Sequence, residues 1–201
     1  MIAAVGSDRR GAQFAIYSFS EILLGMNPWK HFADQRPVQI QTIVLPADGA
    51  PGGEWFFPPF LFKHRAGFPN DEDLLGNSQP SPMGDSVWSD TAYDKYYETS
   101  LRLKLNGVLV GTNPAPDERS VALAARRGLI IHHHHYNLLG SWVYQWPLGK
   151  AGWNWKTDTQ SMGYMYQASV AAQADKEVLW SVGLRGTNDY AYPCTTDEDC
   201  A

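Results

Sequence analysis

The stretch Phe62-Lys63-His64-Arg65-Ala66-Gly67-Phe68-Pro69-Asn70-Asp71-Glu72-Asp73 decides how this chain reads. It begins as a short strand-like run, expected over Phe62 to Phe68, and ends in an amide and three carboxylates. Residues just beyond the carboxyl ends of the strands build the active site of a parallel β-barrel. Three further segments repeat the order of strand and polar cluster. Asn106 to Val110 leads into Gly111-Thr112-Asn113-Pro114. Leu129-Ile130-Ile131 leads into His132 to His135, Tyr136 and Asn137. Val178 to Leu184 leads into Arg185-Gly186-Thr187-Asn188-Asp189.

Helical patterns separate these strands. Thr91 to Lys104 places Tyr93, Tyr96, Tyr97, Leu101 and Leu105 roughly on one side. Asp117 to Arg127 follows, with Pro116 or Asp117 suited to its start. Asp158 to Lys176 precedes the fourth strand. Alternating strands and helices predict a parallel sheet. No Gly-x-Gly-x-x-Gly loop opens a helix, which argues against a dinucleotide site. The chain shows no internal repeat.

Upstream, Ser7 or Asp8 is placed to cap a helix over Ala12 to Leu24, closed by Gly25. Residues 27–59 are rich in proline, glycine and aromatics, with a strand expected over Val38 to Leu45. The organisation predicted is the end of a small α/β domain plus linker over 1–59, then about four βα units of an incomplete (β/α)8 TIM-type barrel over 60–201.

The 201 residues are 44% hydrophobic, enough for one substantial core. A net charge of −5 without a long basic run argues against nucleic acid as a partner. No stretch of ~18 apolar residues offers a membrane span. The amino terminus carries neither a charged n-region nor a long apolar segment, so no export signal is expected in it. Cys194 and Cys200 could close a small disulfide loop in an oxidising compartment or remain two thiols. The 8 Trp and 10 Tyr suit the apolar faces of sugars as well as they suit a core.

Each polar cluster has a chemical reading and a plain one. Asp71, with Asn70, Glu72 and Asp73, offers general acid or base chemistry, or a capped turn. Asn113 offers a sugar hydrogen bond, or an Asn-Pro turn. The four histidines invite a metal, but alternate side chains on a strand face opposite ways, so at most two point inward together. Further ligands would have to come from other loops, with Asp71 and Asp189 the candidates. Hydrogen bonding of this cluster to a sugar or to neighbouring loop carboxylates is the simpler reading. Arg185 can grip a carboxylate with both arms, and Asp189 lies near the barrel mouth. A structural Arg–Asp pair is the plain alternative. Four such clusters at four successive strand ends favour a sugar-cleaving barrel enzyme.

At these residues the chain resembles glycoside hydrolase family 115, the xylan α-1,2-glucuronidases. Val5-Gly-Ser-Asp-Arg-Arg-Gly11, then Ile16-Tyr17, Ser20-Glu21, Pro28-Trp29 and Ala33-Asp34, resemble the end of its N-terminal domain. Arg65 with Phe68-x-Asn-Asp-Glu72 resembles the first barrel strand. Leu101-Arg-Leu-Lys104 with Asn106, Arg127-Gly128 with the histidine run, and Gly183-Leu-Arg-Gly186 with Asp189 resemble the units that follow.

The resemblance implies release of glucuronic acid or its 4-O-methyl ether from glucuronoxylan or its oligosaccharides, with inversion and without a cofactor. It implies secretion, and it allows a homodimer of the full-length protein. By match it places Asn70, Asp71, His135, Arg185 and Asp189 on catalytic or substrate-binding positions, with Asp71 and Asp189 expected in catalysis and Asn70, His135 and Arg185 in substrate binding. Asn113 and Asn137 join the substrate-binding set from their own polar clusters. The second and third strand ends depart from the family's Trp-Pro-rich and His-His-Glu-Pro patterns, reading Val-Gly-Thr-Asn-Pro114 and His135-Tyr-Asn-Leu138. Members are several times longer, and a further catalytic glutamate is expected beyond Ala201. A metal-dependent barrel hydrolase and an inactive carbohydrate-binding relic are the competing readings.

Overall fold

Four short strands lie side by side and parallel in the computed structural model, in the order β1-β2-β3-β4. The structure describes residues 3–44, 55–69, 88–111, 118–135, 137–141, 153–183 and 186. The elements run α1 (Arg9–Ile22), β1 (Ala66–Gly67), α2 (Asp90–Arg102), β2 (Gly107–Leu109), α3 (Arg119–Arg126) and β3 (Ile130–His132). A 3-10 turn (Leu138–Gly140), α4 (Trp155–Ala172) and β4 (Val178–Leu179) follow. The register aligns Ala66 with Gly107, Gly107 with Ile130, and His132 with both Leu109 and Leu179.

The helices form where the sequence supplies both an apolar face and caps. The Asp8 side chain accepts from the Gly11 N–H at 2.7 Å and starts α1. Ser89 caps α2 in the same way. α3 ends on Gly128 at φ +77°, with the Gly128 and Leu129 N–H groups returning to the Ala125 and Ala124 carbonyls. That is a Schellman cap, which a left-handed glycine allows without steric cost. α2 closes identically on Lys104 at φ +64°.

Tyr93, Tyr97 and Leu101 of α2 and Val121 and Ala124 of α3 pack on Val108, Val110 and Ile131 of the sheet. Each large apolar side chain so enclosed contributes roughly 1.5–3 kcal/mol. Phe14 of α1 joins this core. Arg10 anchors α1 beneath the amino-terminal ends of β3 and β4, donating to the Gly128 carbonyl at 2.5 Å and pairing with Glu177.

Glu98 ties α2 to the segment after α1. It accepts from Arg102 at 2.8 Å and meets Lys30 at 3.0 Å and His31 at 3.3 Å. Burial alone would raise its pKa. The bonds from Arg102, Lys30 and His31 overcome that and hold it down at about 2. The Arg102 guanidinium also lies over the Tyr17 ring of α1 at 4.8 Å.

β1, β2 and β4 are shorter than the sequence pattern predicts, for local reasons, whereas β3 keeps its length and lies one position later, at Ile130–His132. The run expected over Phe62 to Phe68 contracts to Ala66–Gly67. Arg65 spends its backbone and side chain on a knot instead: its N–H donates to Asn106 Oδ1, its carbonyl accepts from Asn106 and Gly107, and its guanidinium donates to Lys104 and Phe62 carbonyls. The strand expected over Val178 to Leu184 stops at Leu179, because Ser181 turns its carbonyl to the Leu139 N–H. Val38 to Val44 is not a strand: it lies exposed, and no described strand pairs with it. Alternation without a ladder partner does not make a strand.

Helix boundaries shift by a few residues. α1 starts three residues earlier than its apolar pattern, because Asp8 is the working cap. α4 begins at Trp155 under the Asn154 cap, and the cap-like Asp158 is an irregular residue inside it (φ −122°, ψ 23°). The 3-10 turn carries no sequence signal that the periodicities register. No described helix is long and apolar enough to cross a membrane.

Candidate functional site at the carboxyl ends of the strands

The carboxyl ends of all four parallel strands lie along one edge of the sheet, and the polar clusters of the sequence follow them. Asn70 and Asp71 after β1, Asn113 after β2, and Arg185 and Asp189 after β4 lie outside the described residues, as do Cys194 and Cys200. His135 and Asn137, after β3, are described. Of the four clusters, the described residues contain the histidine run after β3.

Its side chains alternate. Ile131 packs in the core between the sheet and the helices, so Ile130 and His132 face the other side. His133 turns back to the helices, where its Nε2 lies 2.7 Å from Oε1 of Gln173, at the end of α4. His134 faces away again. Its ring centroid lies 5.6 Å from that of Phe68, just past β1. Phe68 belongs on that face because its predecessor Gly67 turns to α2: a Cβ on Gly67 would stand 2.5 Å from the Tyr96 hydroxyl. Phe68, His132 and His134 thus share the face turned away from the helices.

His135 is exposed, with its ring centroid 3.9 Å from that of His134. Asn137 is fully enclosed, and its N–H closes the turn onto the His134 carbonyl at 2.9 Å. Neither Phe68, His132 nor His134 stands out from sequence pattern alone as a site residue. The signal available was the two-residue alternation, which names His132 and His134 together once Ile131 is known to be in the core.

Electrostatics favour neutral imidazoles here. Burial lowers the pKa of His132, against smaller opposing hydrogen bonds from its ring to the Gly67 and His133 backbone. Burial lowers that of His133 as well, against the bond to Gln173. Neutral imidazoles can donate and accept at once, which suits sugar hydroxyls. Among the described residues, no three His, Cys, Asp or Glu side chains assemble into a group that could hold a metal.

These features define a parallel α/β protein with a group of histidines at the carboxyl end of β3. The chain belongs to glycosyl hydrolase family 115, whose family model matches residues 59–200. Among solved structures it is similar to a family 115 4-O-methyl-α-glucuronidase described as having specificity for decorated arabinogalactans. The two agree with a TM-score of 0.75 at 20% identity, over 96% of this chain and 27% of that one. The chain thus spans about a quarter of that relative's length, and likeness at this identity speaks for the fold alone. No curated protein matches the chain.

Proposed function

We propose that this chain supplies the first half of the catalytic barrel of an α-glucuronidase, a hydrolase releasing (4-O-methyl)glucuronic acid from a plant polysaccharide. The match to family 115 across residues 59–200 carries this reading. In it, residues 1–59 are the end of an N-terminal α/β domain plus linker, and 60–201 hold the first four βα units of a TIM-type barrel. Such a protein acts outside the cell that makes it.

Asp71 and Asp189 are the proposed catalytic carboxylates. One carboxylic acid protonates the leaving oxygen while a carboxylate on the far side of the ring activates water. Inverting enzymes space the two roughly 6.5–9.5 Å apart to admit that water. Arg185 holds the uronate carboxylate through paired hydrogen bonds. Asn70, Asn113 and His135 bind sugar hydroxyls; Asn137, expected to bind substrate, is fully enclosed and supports that surface from behind instead. The position of His134 beside Phe68 supports the placement, because it joins a polar donor to an apolar ring on the site face.

Glucuronoxylan and decorated arabinogalactan are the two substrates to offer. The family-length protein containing this segment is expected to release uronic acid from at least one of them, and none once Asp189 is replaced by alanine. Release that survives Asp189→Ala would remove Asp189 from the mechanism, and no release from either polymer would remove the activity.

A further inference from the structure

The four histidines present a problem of register. A strand end that slips by one residue exchanges every side chain between its two faces. In a run of identical residues, composition does nothing to resist such a slip. Ile131 in the core and the ladder pairs of His132 with Leu109 and Leu179 fix His132, but past that last pair something further has to keep His133 on the helix side and His134 on the outer face.

Gln173 is placed to do this. It is wholly enclosed at the end of α4, and its Oε1 lies 2.7 Å from His133 Nε2. Its amide nitrogen is directed at the Ser169 carbonyl and hydroxyl, each at 3.4 Å. Ser169 in turn donates to the Leu139 carbonyl at 2.8 Å. With its nitrogen facing two oxygens, Gln173 can offer His133 only a carbonyl oxygen. His133 must therefore carry its proton on Nε2, and its Nδ1 has no partner among the described residues.

The rest of the His133 unit is held from two further sides. Ser181 Oγ, just past β4, donates to the His133 carbonyl at 3.3 Å. Gly140 lies directly against the pair: a Cβ there would stand 2.7 Å from both His133 Nε2 and Gln173 Nε2. His133 thus meets the helix layer through Gln173, a partner that accepts a single tautomer.

We infer that Gln173 is a positioning residue which, by holding His133 on the helix side as the Nε2-protonated imidazole, keeps the alternation going past the ladder so that His134 faces the site beside His132. Its consequence for turnover rests on the function proposed above; its consequence for His133 does not.

The test has two readouts. In histidine-selective 15N spectra, assigned with a His133→Gln variant, His133 is expected as one Nε2–H tautomer with a bare Nδ1. In Gln173→Met, which keeps the bulk and removes the acceptor, that signal should give way to a mixture of tautomers. Gln173→Glu keeps an acceptor oxygen, so the Nε2–H form should return, with His133 now titrating at higher pH than in the parent. In the family-length protein, Gln173→Met should lower kcat/KM at least tenfold per folded molecule and Gln173→Glu should recover much of the loss.

A His133 protonated on Nδ1 in the parent protein would overturn the inference. So would unchanged kcat/KM in a folded Gln173→Met protein whose parent is active. A parent that releases no uronic acid yet shows the expected tautomer and its response to both variants would refute the proposed function and leave the positioning role standing. Should Gln173→Met not fold, the parent tautomer and Gln173→Glu still decide it.

Discussion

Phe68 and His134 meet across the open edge of the sheet, ring centroids 5.6 Å apart and planes tilted by 46°, although 66 positions separate them in the chain. One follows β1 and the other follows β3, so the contact spans the carboxyl end of β2 lying between them. If the sugar binds there, His134→Ala should reduce kcat/KM by at least tenfold, about 1.4 kcal/mol of transition-state binding. His135→Ala, at the exposed rim, should cost less. Steady-state kinetics on the two variants check the order, and a larger loss at His135 would reverse the assignment of faces.

Asp71→Asn and Asp189→Asn should each lower kcat by a factor of about 10² or more, with the folded state intact. A positioned acid or base typically contributes 10²–10⁴-fold. Circular dichroism alongside the rates separates lost chemistry from lost fold. A single variant retaining full kcat would remove that residue from the pair.

Glu98→Gln should destabilise the protein by about 3 kcal/mol, because it leaves Arg102, Lys30 and His31 without their shared carboxylate in a partly enclosed site. The native pKa is held near 2, below the 4.5 of a free glutamate. The carboxylate's stabilisation is therefore complete above pH 4.5 and is lost as pH falls toward 2. Urea unfolding should show a full gap between parent and variant at pH 7 and a narrowing gap below pH 4.5. A constant gap down to the acid limit would contradict the assignment.

His133 gives the opposite reason for acid sensitivity. Its native pKa lies below the 6.5 of a free imidazole, because burial disfavours the charged ring. As pH falls below 6.5 the unfolded chain takes up the proton first, so stability declines until the native ring also titrates. The melting temperature should drop between pH 8 and pH 5 more in the parent than in His133→Gln. Equal drops would show that other groups carry the effect.

Gly128→Ala tests the closure of α3. The backbone there sits at φ +77°, and a Cβ would meet only ordinary contacts with the Gln13 side chain, the nearest at 3.4 Å. The cost is therefore conformational, about 1 kcal/mol. Thermal unfolding measures it, and a neutral substitution would mean that the Schellman cap contributes little.

The alternation of β and α segments was legible because it rests on periodicities that survive in the described sheet and helices. α2, with Tyr93, Tyr97 and Leu101 buried on one side, follows its pattern within two residues at either end. What the pattern overstates is strand length. The Asn106 side chain accepts from the Arg65 N–H and donates to the Lys63 carbonyl before β1 begins, and no propensity encodes that long-range exchange. Val38 to Val44 shows the same limit, since an alternating run acquires a ladder only where a partner is in reach. At the site, residue types were legible and directions were not. The histidine run was visible as chemistry, yet the choice of His132 and His134 for the outer face depends on Ile131 in the core and Gln173 behind His133.

The proposed reaction is an inverting release of uronic acid by the family-length protein. Proton NMR of the anomeric region during the first minutes of reaction, before mutarotation, tests it most directly. The account predicts that the α-linked uronic acid leaves as the β-anomer and that the signal disappears with Asp189→Ala. An α-anomer formed first, or no uronic acid at all from glucuronoxylan and decorated arabinogalactan, would contradict it.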